Sequence, residues 1–423
     1  MTTTQSGKKR GLVLSGGGAR GAYEAGVIHY ICTKILSKFP KRKGFDVICG
    51  SSVGAINTCF MAATAHNVEY QGQKAFQIWN ELKQSSIYKR DVGAMTRFIT
   101  GSLRGVFRNV FGASRKREEG KGRTAHFKGL LDTSPFPFFL RRVIPWKQIS
   151  LNIQNGVVKA ISVTATNVYS GKMELFIDKH PSVNYTGLHS AHFVNIDVRH
   201  ALASAAIPLL FPMVRIERNY YCDGGLRLHT PLSPAIQLGA ERVLVIGLHH
   251  IAERAEPKTG EAFGISDEIP TMGDVGGQVL KSVFLDRLDN DLEQLARINT
   301  IIGWSEKVYG PDYLEKVNRY LLENGIKGDI ANRGLKKLEV MSIFPSVDIR
   351  KIFAECIQDP AFLKQNLTGF EKLLMRLLDV DIRHGNDFLS FILFMPTYLR
   401  RVLALGFEDA QKNHDQLVQF FED

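Results

Sequence analysis

Phe45-Asp46-Val47-Ile48-Cys49-Gly50-Ser51-Ser52-Val53-Gly54 is an apolar run that stops at a glycine and leads into Ala55-Ile56-Asn57. Physically this is a short buried strand, a sharp turn and the start of a helix. A G-x-S-x-G in that position has the pattern of a nucleophile elbow, in which Gly50 and Gly54 leave room for a strained turn that lifts Ser52 above the sheet. Gly and Ser are common loop residues, so the five residues alone read equally as an ordinary strand-to-helix turn. The flanking chain has to decide between them.

Upstream, Gly11 to Ser15 reads as a strand that passes through Gly16-Gly17-Gly18 into a helix with Tyr23, Val27, Ile31 and Ile35 on one face. A basic turn, Lys38 to Lys43, returns the chain to the Ser52 strand. Strand–helix–strand–helix order implies parallel strands joined by right-handed crossovers. Downstream, a helical stretch around Ala75 to Leu82 comes first, and Leu131-Asp-Thr-Ser-Pro135 signals a helix start. Val157 to Thr166 and Met173 to Ile177 form a hairpin about the turn Asn167 to Gly171. A short helix over Val198 to Ala205 is followed by strands near Met213 to Ile216 and Tyr220 to Cys222, the second closed by Asp223-Gly224-Gly225. Another short helix follows Pro231 and Pro234, and Arg242 to Leu248 reads as a fully buried strand. Residues 252–274 read as a loop, Gln278 to Ile302 as an amphipathic helix, Val340 to Phe344 as a last strand, and the tail from Ala361 as mostly helical. The expectation is an α/β fold with a mainly parallel central sheet flanked by helices. One domain spans residues 8–350, with a motif-bearing core over 8–250 and a basic mobile insertion at about 100–128. Residues 351–423 form a C-terminal helical extension packed on that core.

The composition fits this: 423 residues, 44% apolar and 23% charged. Cys32, Cys49, Cys59, Cys222 and Cys356 are odd in number and form no C-x-x-C pair, which favours free thiols in a reducing compartment. The polar, basic N-terminus lacks a signal-peptide core, and no stretch reaches the ~18 apolar residues of a membrane span. The expected location is cytoplasmic, with peripheral membrane contact. The formal charge is +12, and residues 104–128 supply half of it, with eight basic residues against Glu118 and Glu119. That segment is either a solvated loop or a contact for an anionic surface. No nucleic-acid-binding motif accompanies it, so nucleic acid is not an expected partner.

Gly16-Gly17-Gly18-Ala19-Arg20-Gly21 satisfies G-x-G-x-x-G, but a dinucleotide site needs an acidic residue at the far end of the second strand. Asp46 precedes that strand instead. Successive glycine amides ahead of a helix suit an oxyanion hole, to which Arg20 can add positive charge. Ser52 needs a base. Asp223, in a strand-end turn with two glycines behind it, can accept the serine proton directly. Alternatively, Asp223 works through His229, His249 or His250 in a Ser-His-Asp triad. No metal and no cofactor are required. Phe136 to Phe139 and Phe388 to Leu393 are candidate apolar walls for a substrate chain.

Taken together and in order, Gly16 to Gly21, Gly50 to Gly54, Ala203-Ser-Ala-Ala-Ile-Pro208 and Asp223 to Gly225 resemble the motifs of patatin-like phospholipases. The resemblance covers roughly residues 8–250 and extends more weakly to about 350. It implies a three-layer patatin-like fold and a lipid acyl hydrolase of phospholipase A or lysophospholipase type, with a phospholipid or other glycerolipid as substrate. It further implies a Ser52–Asp223 dyad without histidine, and an oxyanion hole from Gly16, Gly17, Gly18 and Arg20. Gly50, Gly54, Gly224 and Gly225 are motif glycines, and Ala203 to Pro208 supports the dyad. The alternatives are a Ser-His-Asp esterase acting on soluble esters and a membrane-binding scaffold that retains an inactive hydrolase fold.

Overall fold

Strand β1 (Arg10–Leu14) is buried along its whole length, and the chain then crosses the glycine loop into α1 (Ala22–Tyr30). The helix expected from Tyr23 to Ile35 is continuous but changes type after Tyr30. Residues Ile31–Ile35 form a π-helical turn, tightened to a 3₁₀ turn at Leu36–Lys38. Strand β2 (Val47–Ser51) leads directly into α2 (Val53–Thr64), and α3 (Val68–Glu81) follows. The computed structural model describes residues 8–39, 44–90, 129–185, 187, 189–250, 288–324, 337–358, 369 and 387–422. The expected basic insertion at 100–128, the expected loop at 252–274 and most of 361–386 lie outside the described residues.

Pro135, whose fixed φ suits the first helical turn, opens α4 (Pro135–Val143). The order continues with α5 (Trp146–Gln154), the antiparallel pair β3 (Ala160–Asn167) and β4 (Met173–Lys179), and β5 (Ser190–Phe193). The sequence reading missed α5 and β5. Next come α6 (Val198–Ser204), β6 (Val214–Ile216), β7 (Asn219–Asp223), α7 (Leu232–Gln237) and β8 (Arg242–Ile246). The later elements are α8 (Leu288–Tyr309), α9 (Tyr313–Glu323), β9 (Glu339–Ile343), α10 (Ile349–Gln358), α11 (Asp387–Ile392), α12 (Pro396–Lys412) and α13 (His414–Phe421).

The sheet runs β5-β4-β3-β2-β1-β8-β9, and its five central and right-hand strands are parallel. Successive strand residues divide between two cores, as alternation across a pleat requires. Leu12, Leu14, Ile48, Ile161, Leu244 and Ile246 face one core with α1, α2 and the C-terminal helices. Val13, Val47, Cys49, Ala160, Val243 and Val245 face the other, under α7. Both faces are covered, which explains the unbroken apolar strands. The result is a three-layer α/β architecture with C-terminal helices. All five cysteines are buried and free. No helix among the described residues is long and apolar enough to cross a membrane.

One detail of topology positions the site. β2 lies beside β3 only as far as Ser51, which pairs with Thr164. On the next rung, Ala165, the same edge of β3 is taken over by β7, running antiparallel and ending at Asp223. The C-terminal ends of β2 and β7 therefore meet head-on.

Candidate active site

At that junction Ser52 sits between β2 and α2 with φ 53° and ψ −125°. A positive φ is unfavourable for a residue with a Cβ, of order 1–3 kcal/mol, and such strain collects at functional sites. The flanking glycines make the turn possible. A Cβ on Gly50 would lie 2.2 Å from the Gly54 carbonyl oxygen, and one on Gly54 would lie 2.4 Å from the Leu14 oxygen. The Ser52 hydroxyl donates to Asp223 Oδ2 at 2.6 Å, and the Gly225 amide donates to Oδ1 at 2.7 Å. Asp223 is completely buried, and burial pushes its carboxyl up to about 7, although the bonds from Ser52 and Gly225 pull it down. Gly224 lets the strand end pass: a Cβ there would stand 2.2 Å from the Thr164 oxygen.

The segment Ala203 to Pro208 grips both partners. Ser204 Oγ accepts the Ser52 amide at 2.9 Å, and the Ala206 carbonyl accepts the Asp223 amide at 2.9 Å. Ser204 was not singled out from the sequence. Its motif signalled support near the dyad, but not which atom supplies it.

The glycine loop differs from expectation in two respects. The Gly16 amide is committed to the His229 carbonyl at 3.0 Å, so it is not available to an oxyanion. Gly16 has a steric role instead, because a Cβ there would lie 3.1 Å from both Ser52 Cβ and His229 Nδ1. Arg20 is also placed differently. Its buried guanidinium donates from Nε and Nη2 to Ser390 Oγ, at 3.0 and 2.6 Å, and lies 4.0 Å above the Phe391 ring, so it braces α11. Among the described residues the amides of Gly17 and Gly18 donate to no protein group. Gly18, at φ 55°, lines the same cleft as Ser52.

No histidine among the described residues joins the pair. Among the described residues both ring nitrogens of the buried His229 lack a hydrogen-bond partner, and burial, with the charges of His249 and Arg20, holds its pKa at about 3. The His249 ring packs edge-on against Phe344, and His250 Nδ1 meets the Pro345 oxygen at 2.8 Å. The expected triad geometry is absent among the described residues.

Ser52 opens on an apolar cleft with about 780 Å³ of atom-free space, part of it open to solvent. Phe136 and Phe139 line it, as expected. From the C-terminal stretch, Phe394 reaches it, whereas Leu389, Ile392 and Leu393 are core. Asn57 is a polar point in the wall, satisfied by Trp79 Nε1 at 3.1 Å and by the buried Glu24 carboxyl at 2.7 Å. Among the described residues no three His, Cys, Asp or Glu side chains could together hold a metal ion.

A family profile for patatin-like phospholipases matches residues 12–236, more than half of the chain. The chain belongs to the patatin-like phospholipase family. The matched span of this patatin-like chain contains the glycine loop, Ser52, Ser204 and Asp223, and ends inside α7. Its solved structural neighbours are distant. VipD from Legionella pneumophila is 13% identical with a TM-score of 0.33, over 99% of this chain and 69% of that one. The type III effector ExoU is 14% identical with a TM-score of 0.26, over 96% and 78%. The ExoU–SpcU complex of Pseudomonas aeruginosa gives 14% and 0.28, over 96% and 76%. No curated protein sequence matches the chain.

Proposed function

We propose that this patatin-like protein is a serine hydrolase cleaving fatty-acyl esters of phospholipids, lysophospholipids or other glycerolipids through a Ser52–Asp223 dyad. The observation that carries the reading is the 2.6 Å bond between Ser52 Oγ and a buried Asp223 that no described histidine contacts, with Ser52 lining an apolar cleft. Ser52 attacks the ester carbonyl while Asp223 takes its proton. The uncommitted amides of Gly17 and Gly18 supply the oxyanion donors, aided by the positive end of α2. Asp223 returns the proton to the leaving alcohol. It then activates water to release the fatty acid from the acyl-enzyme.

Mass spectrometry of a mixed lipid extract tests the reading. Wild type should release fatty acid and a lysolipid or glycerol product, and Ser52→Ala should release none. Failure of a fluorophosphonate to label Ser52, together with no product from any lipid, would favour the inactive-scaffold alternative. The cleft adds a graded expectation. Each methylene moved from water into it contributes about 0.8 kcal/mol, so kcat/KM on short soluble esters should climb about fourfold per methylene until the cleft is filled. A flat dependence on chain length would remove the cleft from the acyl site.

A further inference from the structure

Two elements in the wall of the cleft are α4 and the loop from Ala205 to Met213. Helix α4 directs Phe136, Phe139, Leu140 and Val143 into the cleft. At about 100° per residue, Phe138, Arg141 and Arg142 fall on its opposite face. All three are exposed, Phe138 at 70%. The loop repeats the arrangement: Ala205, Ile207 and Phe211 line the cleft, while Leu209 stands outward at 71% exposure. Leu209 has φ 67°, a left-handed conformation that branched side chains avoid. The turn is held there by the Leu130 amide on the Leu209 carbonyl at 2.9 Å and the Leu131 amide on the Leu210 carbonyl at 2.8 Å. Strain of this kind, spent on turning a large apolar side chain into water, has no use in packing. The charge these two elements carry is one-sided. Neither α4 nor the loop carries an acidic residue, nearby Asp132 is paired with Lys89 at 3.3 Å, and the chain's formal charge is +12.

We propose that the outer face of α4 and the Leu209 turn form the surface by which the protein docks on an anionic lipid bilayer. Phe138 and Leu209 enter the headgroup boundary, and Arg141 and Arg142 bind lipid phosphates while their stems lie along apolar surface. This inference rests on the lipid acyl hydrolase reading. With α4 against the bilayer, an acyl chain passes from the membrane into the cleft behind that helix without crossing water.

The test separates binding from catalysis. Full-length Ser52→Ala is sedimented with vesicles of phosphatidylcholine and phosphatidylglycerol, alone and with Phe138→Ser, Leu209→Gly or Arg141→Gln/Arg142→Gln added. Losing either apolar side chain should weaken partition about tenfold or more. Losing the arginines should weaken it about fivefold per charge on these vesicles and not on pure phosphatidylcholine. Both apolar sites are exposed and Leu209→Gly relieves strain, so the variants should melt no lower than their parent. Phe138→Trp should bind like the parent, and its fluorescence should shift to the blue with vesicles. In the active chain, Phe138→Ser and Leu209→Gly should keep hydrolysis of a monomeric short-chain ester while losing vesicle hydrolysis about tenfold. Equal partition of all variants, or an unshifted Phe138→Trp spectrum, overturns the docking surface and leaves this face to a protein partner. If wild type hydrolyses no ester yet Ser52→Ala binds through these residues, the hydrolase reading fails and the surface stands.

Discussion

A carboxyl held at about 7 inside the protein suits the role proposed for Asp223 and is costly to the fold. As a base it must be ionised, so kcat/KM should rise as the pH passes through about 7 and then level off. A profile already flat at pH 5 would exclude Asp223 as the titrating base. Asp223→Asn keeps acceptor and donor atoms of similar shape but cannot take a proton, and should lower kcat about 10²–10⁴-fold. The stability effect has the opposite sign. Because the folded pKa lies above the unfolded value of about 3.9, the folded state holds a proton that the unfolded state releases between those values. Stability contributed by this group therefore falls as pH rises from about 4 to 7. Asp223→Asn should gain thermal stability over wild type at pH 8 and gain little at pH 4, measured by melting temperature. Ser52 and Asp223 were legible in the sequence because their glycines have to be where they are. Ser204 and the changed role of Gly16 were not, since which neighbour takes each amide is decided by segments about 150 and 200 residues away.

Among the elements, the site depends on β2 and β7 ending against each other on one edge of β3. Strand positions and hairpin order could be read from alternation and turn residues. The takeover of the β2 edge by β7 could not, because nothing in either strand's own pattern names its neighbour. Short α5 puts Trp146, Ile149 and Ile153 on one face, but nine residues repeat that period too few times to stand out, and the four residues of partly exposed β5 show no clear alternation. The junction makes a sharp prediction about Gly224. An alanine Cβ would stand 2.2 Å from the Thr164 oxygen and 3.0 Å from Ser51 Oγ, so β7 must move away from the elbow. Gly224→Ala should lower kcat at least about 100-fold, since misplacement by about 1 Å is enough for that. Fluorophosphonate labelling of Ser52 should slow in parallel. Unchanged labelling would show that the junction tolerates the shift. Arg20 belongs to this scale as well, because it ties the glycine loop to α11 through Ser390 and Phe391.

Across the whole molecule, the C-terminal helices are part of the site's frame. Helix α12 crosses α1 at a pair of glycines. A Cβ on Gly26 would fall 2.1 Å from the Leu403 oxygen, and one on Gly406 would fall 2.1 Å from the Tyr23 oxygen. The backbones touch, and Tyr23 Oη donates to Asp409 Oδ2 at 3.1 Å beside the crossing. That the tail is mostly helical was legible in the sequence, but the partner of α12 was not: a lone glycine in a helix reads only as a weak point. Two consequences of Gly406→Val can be separated. Forcing a branched side chain into a backbone contact should cost about 1–3 kcal/mol of stability. Because α1 begins where the glycine loop ends, and α11 braces that loop immediately before α12, the same displacement should reach the Gly17 and Gly18 amides, the proposed oxyanion donors. The predicted result is a variant that folds with a lowered melting temperature and loses kcat more than its KM for a short ester changes. Loss of stability with kcat intact would mean that the C-terminal helices only cover the core. A fall in kcat larger than the unfolded fraction explains would mean that they hold the glycine loop in position.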